Sequence, residues 1–208
     1  LLARPDANIL ALFGAGAQAP TQVLAIHIVR PLREVRVVNR SDEHYQQLVA
    51  TLQKTLGSTC PPIHRATSPH EALSGALLVA CATASTAPLF HESDITPGTH
   101  INAIGAFTPE MCEVDPETLA HAQIVVDSRE AAMTEAGDLL QALAANQITG
   151  PETWLELGEL LTGSQPARQS NEQITFFKSV GIAVQDVAVA LQVYKKAREW
   201  GIGIEVEV

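Results

Sequence analysis

Residues 8–29 read NILALFGAGAQAPTQVLAIHIV, and the architecture of the chain follows from them. The apolar run Ile9–Phe13 has the length of a strand buried on both faces. It enters Gly14-Ala15-Gly16-Ala17-Gln18-Ala19, after which a second apolar segment is long enough for a helix. Strand, tight turn and helix is the setting in which the spacing G-x-G-x-x-A carries meaning. Gly14 permits the sharp turn, Gly16 removes a side chain where a pyrophosphate approaches, and Ala19 lets helix and strand pack closely. The free N–H groups and positive end of the new helix face that anion. Gly14, Gly16, Ala17 and Gln18 are therefore candidate dinucleotide contacts.

Working outward, Pro31 stops the first helix and EVRVV (34–38) reads as a second strand ending at Asn39-Arg40-Ser41. Ser41 or Asp42 can cap a helix that Gly57 closes. Further strands are expected at 63–66, 76–81, 99–104 and 124–127, with a short helix over 68–73 and another from Pro116. Strands alternating with helices predict an α/β protein with a doubly wound parallel sheet. Beyond it, residues 128–163 read as short helices, and Ser170 with Gln173 reads as the capping box of one long helix through Trp200. Ile174, Phe177, Val180, Val184, Val187, Leu191 and Tyr194 form an apolar stripe at helical spacing. The expected division is a nucleotide-binding domain over 1–150 and a C-terminal helical segment over 151–208. That segment would pack on the cofactor domain and on a dimer or substrate domain. Residues 1–6 carry neither an initiator Met nor a cap, as if the chain begins partway into something longer.

The 208 residues, 46% hydrophobic, suffice for one large domain or a domain with an appendage. A net charge of −10 argues against a nucleic-acid partner, which needs a cationic face. The charge is uneven: residues 1–65 hold seven Arg and Lys against four Asp and Glu, and residues 66–208 hold six against nineteen. Cys60, Cys81 and Cys112 are odd in number and lack a C-x-x-C pair, so reduced thiols in a cytoplasmic protein are expected. The histidines form no metal-ligand spacing, and no metal site is expected. The uncharged stretch 7–29 is broken by Gln18, Pro20 and Gln22, which argues against a membrane span or signal segment.

The end of the second strand selects the nucleotide. An acid there holds the ribose hydroxyls of NAD, whereas an Arg accommodates the 2'-phosphate of NADP. Asn39 stands in the acid's place, Arg40 supplies a planar fork and Ser41 a hydroxyl, so NADP(H) is the expected cofactor, with NAD(H) possible. Thr83 and Ser85 after the fourth strand, and Ile104 after the fifth, fall at carboxyl strand ends, where such sheets bind ligands. Asp127 and Glu110 are titratable near strand ends, but no catalytic acid is assigned.

The segments GAGAQA (14–19), EVRVVNRS (34–41), ATAST (82–86), INAIGAFTPEM (101–111), VVDSREAA (125–132), EAGDLL (135–140), ELGELLTG (156–163) and FKSVG (177–181) occur in an order that resembles the ornithine cyclodeaminase/mu-crystallin family. The resemblance is closer to its NADP(H)-dependent ketimine and pyrroline-2-carboxylate reductases. It implies a Rossmann-type domain whose C-terminal helices return towards a second, largely absent, substrate and dimerisation domain. It implies a homodimer, and a small amino or imino acid as substrate. It adds Ser179 and Val180 to the cofactor contacts. The implied reaction is hydride transfer to the C=N bond of a cyclic imino acid, or the reverse on an amino acid. One alternative is an ornithine cyclodeaminase that releases ammonia with bound NAD(H). Another is a non-catalytic protein, or a truncated cofactor domain, that binds NADPH or a small ligand. Phe107 stands where the cyclodeaminases carry a catalytic Asp, and Phe exchanges no proton. The resemblance also implies an upstream segment that holds the substrate carboxylate and is expected to lie outside these residues.

Overall fold

The computed structural model describes residues 1–166, 168–204 and 206. In chain order the elements are β1 (Ile9–Phe13), α1 (Ala19–Val29), β2 (Glu34–Val38), α2 (Asp42–Leu56), β3 (Ile63–Arg65), α3 (Pro69–Leu73), β4 (Leu78–Cys81), β5 (His100–Ala103), α4 (Pro116–Ala120), β6 (Ala122–Val126), α5 (Arg129–Glu135), α6 (Gly137–Ala144), β7 (Leu155–Glu156), α7 (Leu157–Leu161), β8 (Ile174–Lys178) and α8 (Ala183–Trp200). The strands form one sheet in the order β3-β2-β1-β4-β5-β8-β6-β7, and every pairing is parallel.

The pleat sends alternate residues of β1 to opposite faces. Leu10 and Leu12 join Val23 and Ile26 of α1 and Leu48 and Leu52 of α2 in one apolar layer. Ile9, Ala11 and Phe13 join Leu73, Leu119, Ala132 and Leu139 in the other, beneath α3 to α6. Each fully buried Leu or Phe stabilises the fold by roughly 1.5–3 kcal/mol. Burial on both faces is why β1 reads as an unbroken apolar run rather than an alternating one. The chain thus has the expected doubly wound, Rossmann-like fold, and its strand order reverses between β1 and β4.

Ser41 caps α2 by accepting from the His44 N–H at 3.2 Å. Asp42 and Glu43 lie in the first turn of that helix, where its dipole favours acids.

The C-terminal third differs from expectation. Residues 174–178 are not the start of a long helix but strand β8, which lies between β5 and β6 near the middle of the sheet. The turn ahead of it does resemble a cap: the Gln173 N–H donates to Ser170 Oγ at 3.2 Å and the Gln169 N–H to Gln173 Oε1 at 2.7 Å. It leads into extended chain because Thr175 and Phe176 are buried against both neighbouring strands. Residues 151–208 are accordingly not all helical, since β7 and β8 both belong to the sheet. The helix begins only at Ala183, and the expected stripe is divided. Ile174 and Phe177 are in the sheet, whereas Val184, Val187, Leu191 and Tyr194 are exposed on α8, which buries none of its residues.

Candidate functional site

The carboxyl ends of β1 to β4 open onto a cleft of about 840 Å³ at the place where the strand order reverses, the position where open parallel sheets receive ligands. Gly14, Gly16, Asn39, Arg40 and Thr83 line it. Gly14 has φ +95°, and a Cβ there would meet Ala82 O at 2.5 Å, so the turn and the close approach of β1 to β4 both require glycine. A Cβ on Gly16 would meet nothing within 4 Å. The protein itself therefore leaves open space at that position.

The loop amides divide in the same way. The Gly14 N–H donates to Val38 O at 2.9 Å and the Ala15 N–H to Asn39 Oδ1 at 3.2 Å. Among the described residues, the N–H groups of Gly16, Ala17 and Gln18 have no protein acceptor. All three residues are exposed, ahead of the first turn of α1. Consecutive free amides at a helix start form a site for an anion. The cleft wall carries two cations, Arg40 and Arg65, and no carboxylate. These features fit a phosphate-bearing dinucleotide. Asn39 spends both ends of its amide on protein, since its Nδ2 also donates to Ser41 O at 2.7 Å, and so ties the glycine loop to the start of α2.

Ser85 also lines the cleft, whereas Ser41, Ile104, Ser179 and Val180 are not part of its wall. Ile104 follows β5, its N–H on Cys81 O at 3.0 Å, and the Ser179 N–H reaches Ala103 O at 3.2 Å. These strand ends are therefore neighbours. Ser179 Oγ and the N–H groups of Val180 and Gly181 all donate to Asp127 Oδ2, at 2.8, 3.1 and 2.9 Å. Asp127 is thus the acceptor that shapes the turn after β8. Glu110 is exposed. Ser41 acts as the cap already described.

Sequence reasoning missed a buried ionic network behind these loops. Glu113 accepts from the Thr83 N–H and hydroxyl at 2.6 and 2.8 Å, and from the Gly105 and Ala106 N–H groups at 2.7 and 3.2 Å. Asp138 accepts from the N–H groups of Glu113 and Val114 and pairs with Lys178 Nζ at 2.9 Å. All three charged residues are fully buried. Desolvation pushes the Glu113 carboxyl above its usual range, opposed by the bonds from Thr83. The network fixes the ends of β4, β5 and β8 relative to one another. A Cβ on Gly105 would run into Thr83 O and the Glu113 carboxylate, so this junction also requires glycine. Burial pushes the Cys112 thiol up to about 12 and raises Cys81 as well, so neither is a thiolate nucleophile at neutral pH. Among the described residues, no three His, Cys, Asp or Glu side chains are grouped to hold a metal ion.

The model of the ornithine cyclodeaminase/mu-crystallin family matches residues 1–201. The chain belongs to that family. Delta(1)-pyrroline-2-carboxylate reductase of Bacillus cereus is 36% identical over 207 residues, covering 99% of this chain and 62% of the relative. The Thermococcus litoralis Delta(1)-pyrroline-2-carboxylate reductase, solved with NADH and L-proline, superposes with a TM-score of 0.91 at 33% identity, covering 99% of this chain and 62% of that one. An archaeal alanine dehydrogenase dimer with bound NAD superposes with a TM-score of 0.88, again at 33% identity and the same coverage. The chain thus spans about 62% of the length of these family relatives.

Proposed function

We propose that the chain forms the cofactor-binding part of an NADP(H)-dependent oxidoreductase that reduces the C=N bond of a cyclic imino acid, with pyrroline-2-carboxylate the first substrate to test. The observation that carries this reading is the set of free amides at Gly16, Ala17 and Gln18, opening into a cleft walled by Arg40 and Arg65 without a carboxylate. The amides would hold the diphosphate. Arg40 and Ser41, beside Asn39, would receive the 2'-phosphate. Thr83, Ile104, Ser179 and Val180 would border the nicotinamide, on strand ends that Glu113 and Asp127 hold in place. When bound, the dihydronicotinamide supplies the hydride. The task of these residues is to present one face of it to the imine carbon and to keep water out.

The named relatives support the substrate class, because L-proline is the reduced form of pyrroline-2-carboxylate. The nucleotides named with the solved relatives are NADH and NAD, so the preference for NADP(H) rests on Asn39-Arg40-Ser41 at the end of β2. Calorimetric titration with NADPH and NADH, and NADPH oxidation followed at 340 nm with pyrroline-2-carboxylate, test the two halves of the reading. Arg40→Ala is expected to weaken NADPH binding at least about tenfold with NADH unaffected. An unchanged ratio removes the NADP assignment. Ammonia released from ornithine without net oxidation would instead favour the cyclodeaminase reading, against which Phe107, half exposed and without a titratable group, stands.

The same reading includes a homodimer in which a second copy covers the apolar side of α8. A cytoplasmic setting belongs to the same reading, in keeping with three unpaired cysteines, and fractionation would test it.

A further inference from the structure

Arg65 is the last residue of β3, paired in register with Val37 of β2, and it shares the cleft wall with Arg40. Its Nη2 donates to Asn39 O at 2.9 Å, which brings the guanidinium back beneath the turn that joins β2 to α2. Its Nη1 pairs with Asp42, and its Cζ lies 6.0 Å from the Tyr45 ring. The Arg65 fork thus lies against the turn that carries Arg40, and both arginines border the same cleft.

A 2'-phosphate is close to a dianion at neutral pH, and a single guanidinium leaves about half of that charge uncompensated. Arg40 alone is thus an incomplete site. The partner that now occupies Arg65 is weakly bound, because the Asp42 side chain is 82% exposed and water screens such a pair. Asp42 lies in the first turn of α2, where the dipole tolerates it without a counterion. It can therefore turn to solvent when a stronger anion arrives.

Resting on the nucleotide reading above, we propose that Arg65 is the second cation of a two-guanidinium clamp for the 2'-phosphate of NADP(H). Asp42 holds its fork in the free protein and yields it on binding. Arg65 then sets specificity through the phosphate and makes no contribution to the adenine or the diphosphate.

The test is calorimetric titration of the wild-type chain and of Arg65→Gln, Arg65→Lys, Arg40→Ala and Asp42→Asn with NADPH and with NADH. Arg65→Gln is expected to raise Kd for NADPH about tenfold and to leave Kd for NADH unchanged. Arg65→Lys should recover part of the loss, because it keeps the charge and not the fork. Asp42→Asn should tighten NADPH binding, because the competing carboxylate is gone. If Arg65→Gln leaves the NADPH to NADH ratio as in wild type while Arg40→Ala abolishes it, the clamp is overturned and the nucleotide reading stands. Equal weakening of both nucleotides would place Arg65 on a shared part of the cofactor and also overturn the clamp. A wild-type chain that binds neither nucleotide, or both alike, overturns the NADP reading together with the clamp. Unchanged thermal melting of Arg65→Gln, a surface substitution, guards against a folding artefact.

Discussion

Gly14 and Gly16 are two residues apart and do different work. The first is required by the protein, through its positive φ and the approach of Ala82 O. The second is not required by the protein, since a Cβ there would meet open space, and on the proposed reading it makes room for the diphosphate. Gly14→Ala is therefore expected to destabilise the fold by about 1–3 kcal/mol, read as a lower midpoint in urea. Gly16→Val should leave that midpoint within about 0.5 kcal/mol of wild type and yet abolish nucleotide binding in the calorimeter. Equal loss of stability in both variants would contradict the assignment. The place of Gly14, Gly16, Asn39 and Arg40 in the cleft wall was legible because the motif ties residue type to backbone geometry. Arg65 was not, because nothing in a lone Arg at the end of a short strand tells which neighbour it will meet. His100 illustrates a second kind of hidden residue. Its ring is buried, with Nδ1 on Thr175 Oγ1 at 2.9 Å and Nε2 on Asn102 Oδ1 at 3.0 Å, and burial lowers its pKa to about 4. The folded ring stays neutral where the unfolded one takes up a proton, so its contribution to stability is complete above about pH 6.5 and is lost as pH falls towards 4. Glu113 acts in the opposite sense, since its raised pKa makes the folded state hold a proton longer. Replacing His100 with Gln should flatten the acid side of the stability profile by an amount on the order of 3 kcal/mol between pH 6.5 and 4, measured by urea unfolding across that range.

Among the elements, β8 is the longer of two strands that sequence reading took for helix, the other being the two-residue β7. Ile174, Phe177 and Val180 recur at a spacing that continues into the true helix, and a strand buried on both faces lacks the alternation that would have marked it. The Thr-Phe-Phe run and Gly181 were the available strand signals. The buried pair of Lys178 with Asp138 was equally hidden, because charge in a sequence does not declare its own burial. Its energetics are testable. Asp138→Ala leaves the Lys178 ammonium buried without a partner and two amides without an acceptor, and should cost about 3–5 kcal/mol in chemical denaturation. The double variant Asp138→Leu with Lys178→Met should recover part of that, since it removes the stranded charge but does not replace the acceptor for the Glu113 and Val114 amides. A double variant no more stable than the single would show that the amide bonds, not the ion pair, dominate.

At the level of the whole molecule, the sheet is packed on both faces, whereas α8 buries none of its residues. Val184, Val187, Leu191 and Tyr194 stand exposed on it, an apolar row that a partner would cover. With a second copy as that partner, Val187→Asp combined with Leu191→Asp should convert a concentration-dependent dimer to monomer in sedimentation equilibrium while leaving NADPH affinity unaltered. A wild-type chain monomeric at every concentration would dispose of the dimer. The sheet was legible as a class from six strands and their alternation with helices, but its closure was not, because β8 enters it out of sequence order.

That late entry bears on how the molecule is made. Residues 174–178 fill the gap between β5 and β6, and almost everything they touch is synthesised before them. A nascent polypeptide halted just short of Ile174 would hold two strands apart with their facing ladders open, and an aspartate waiting in an apolar interior for its lysine. Such a species is adhesive towards any other extended segment. Completion of the sheet therefore waits on residues 174–178, and a pause in translation ahead of them is expected to be felt as aggregation rather than as slow growth of a finished fold.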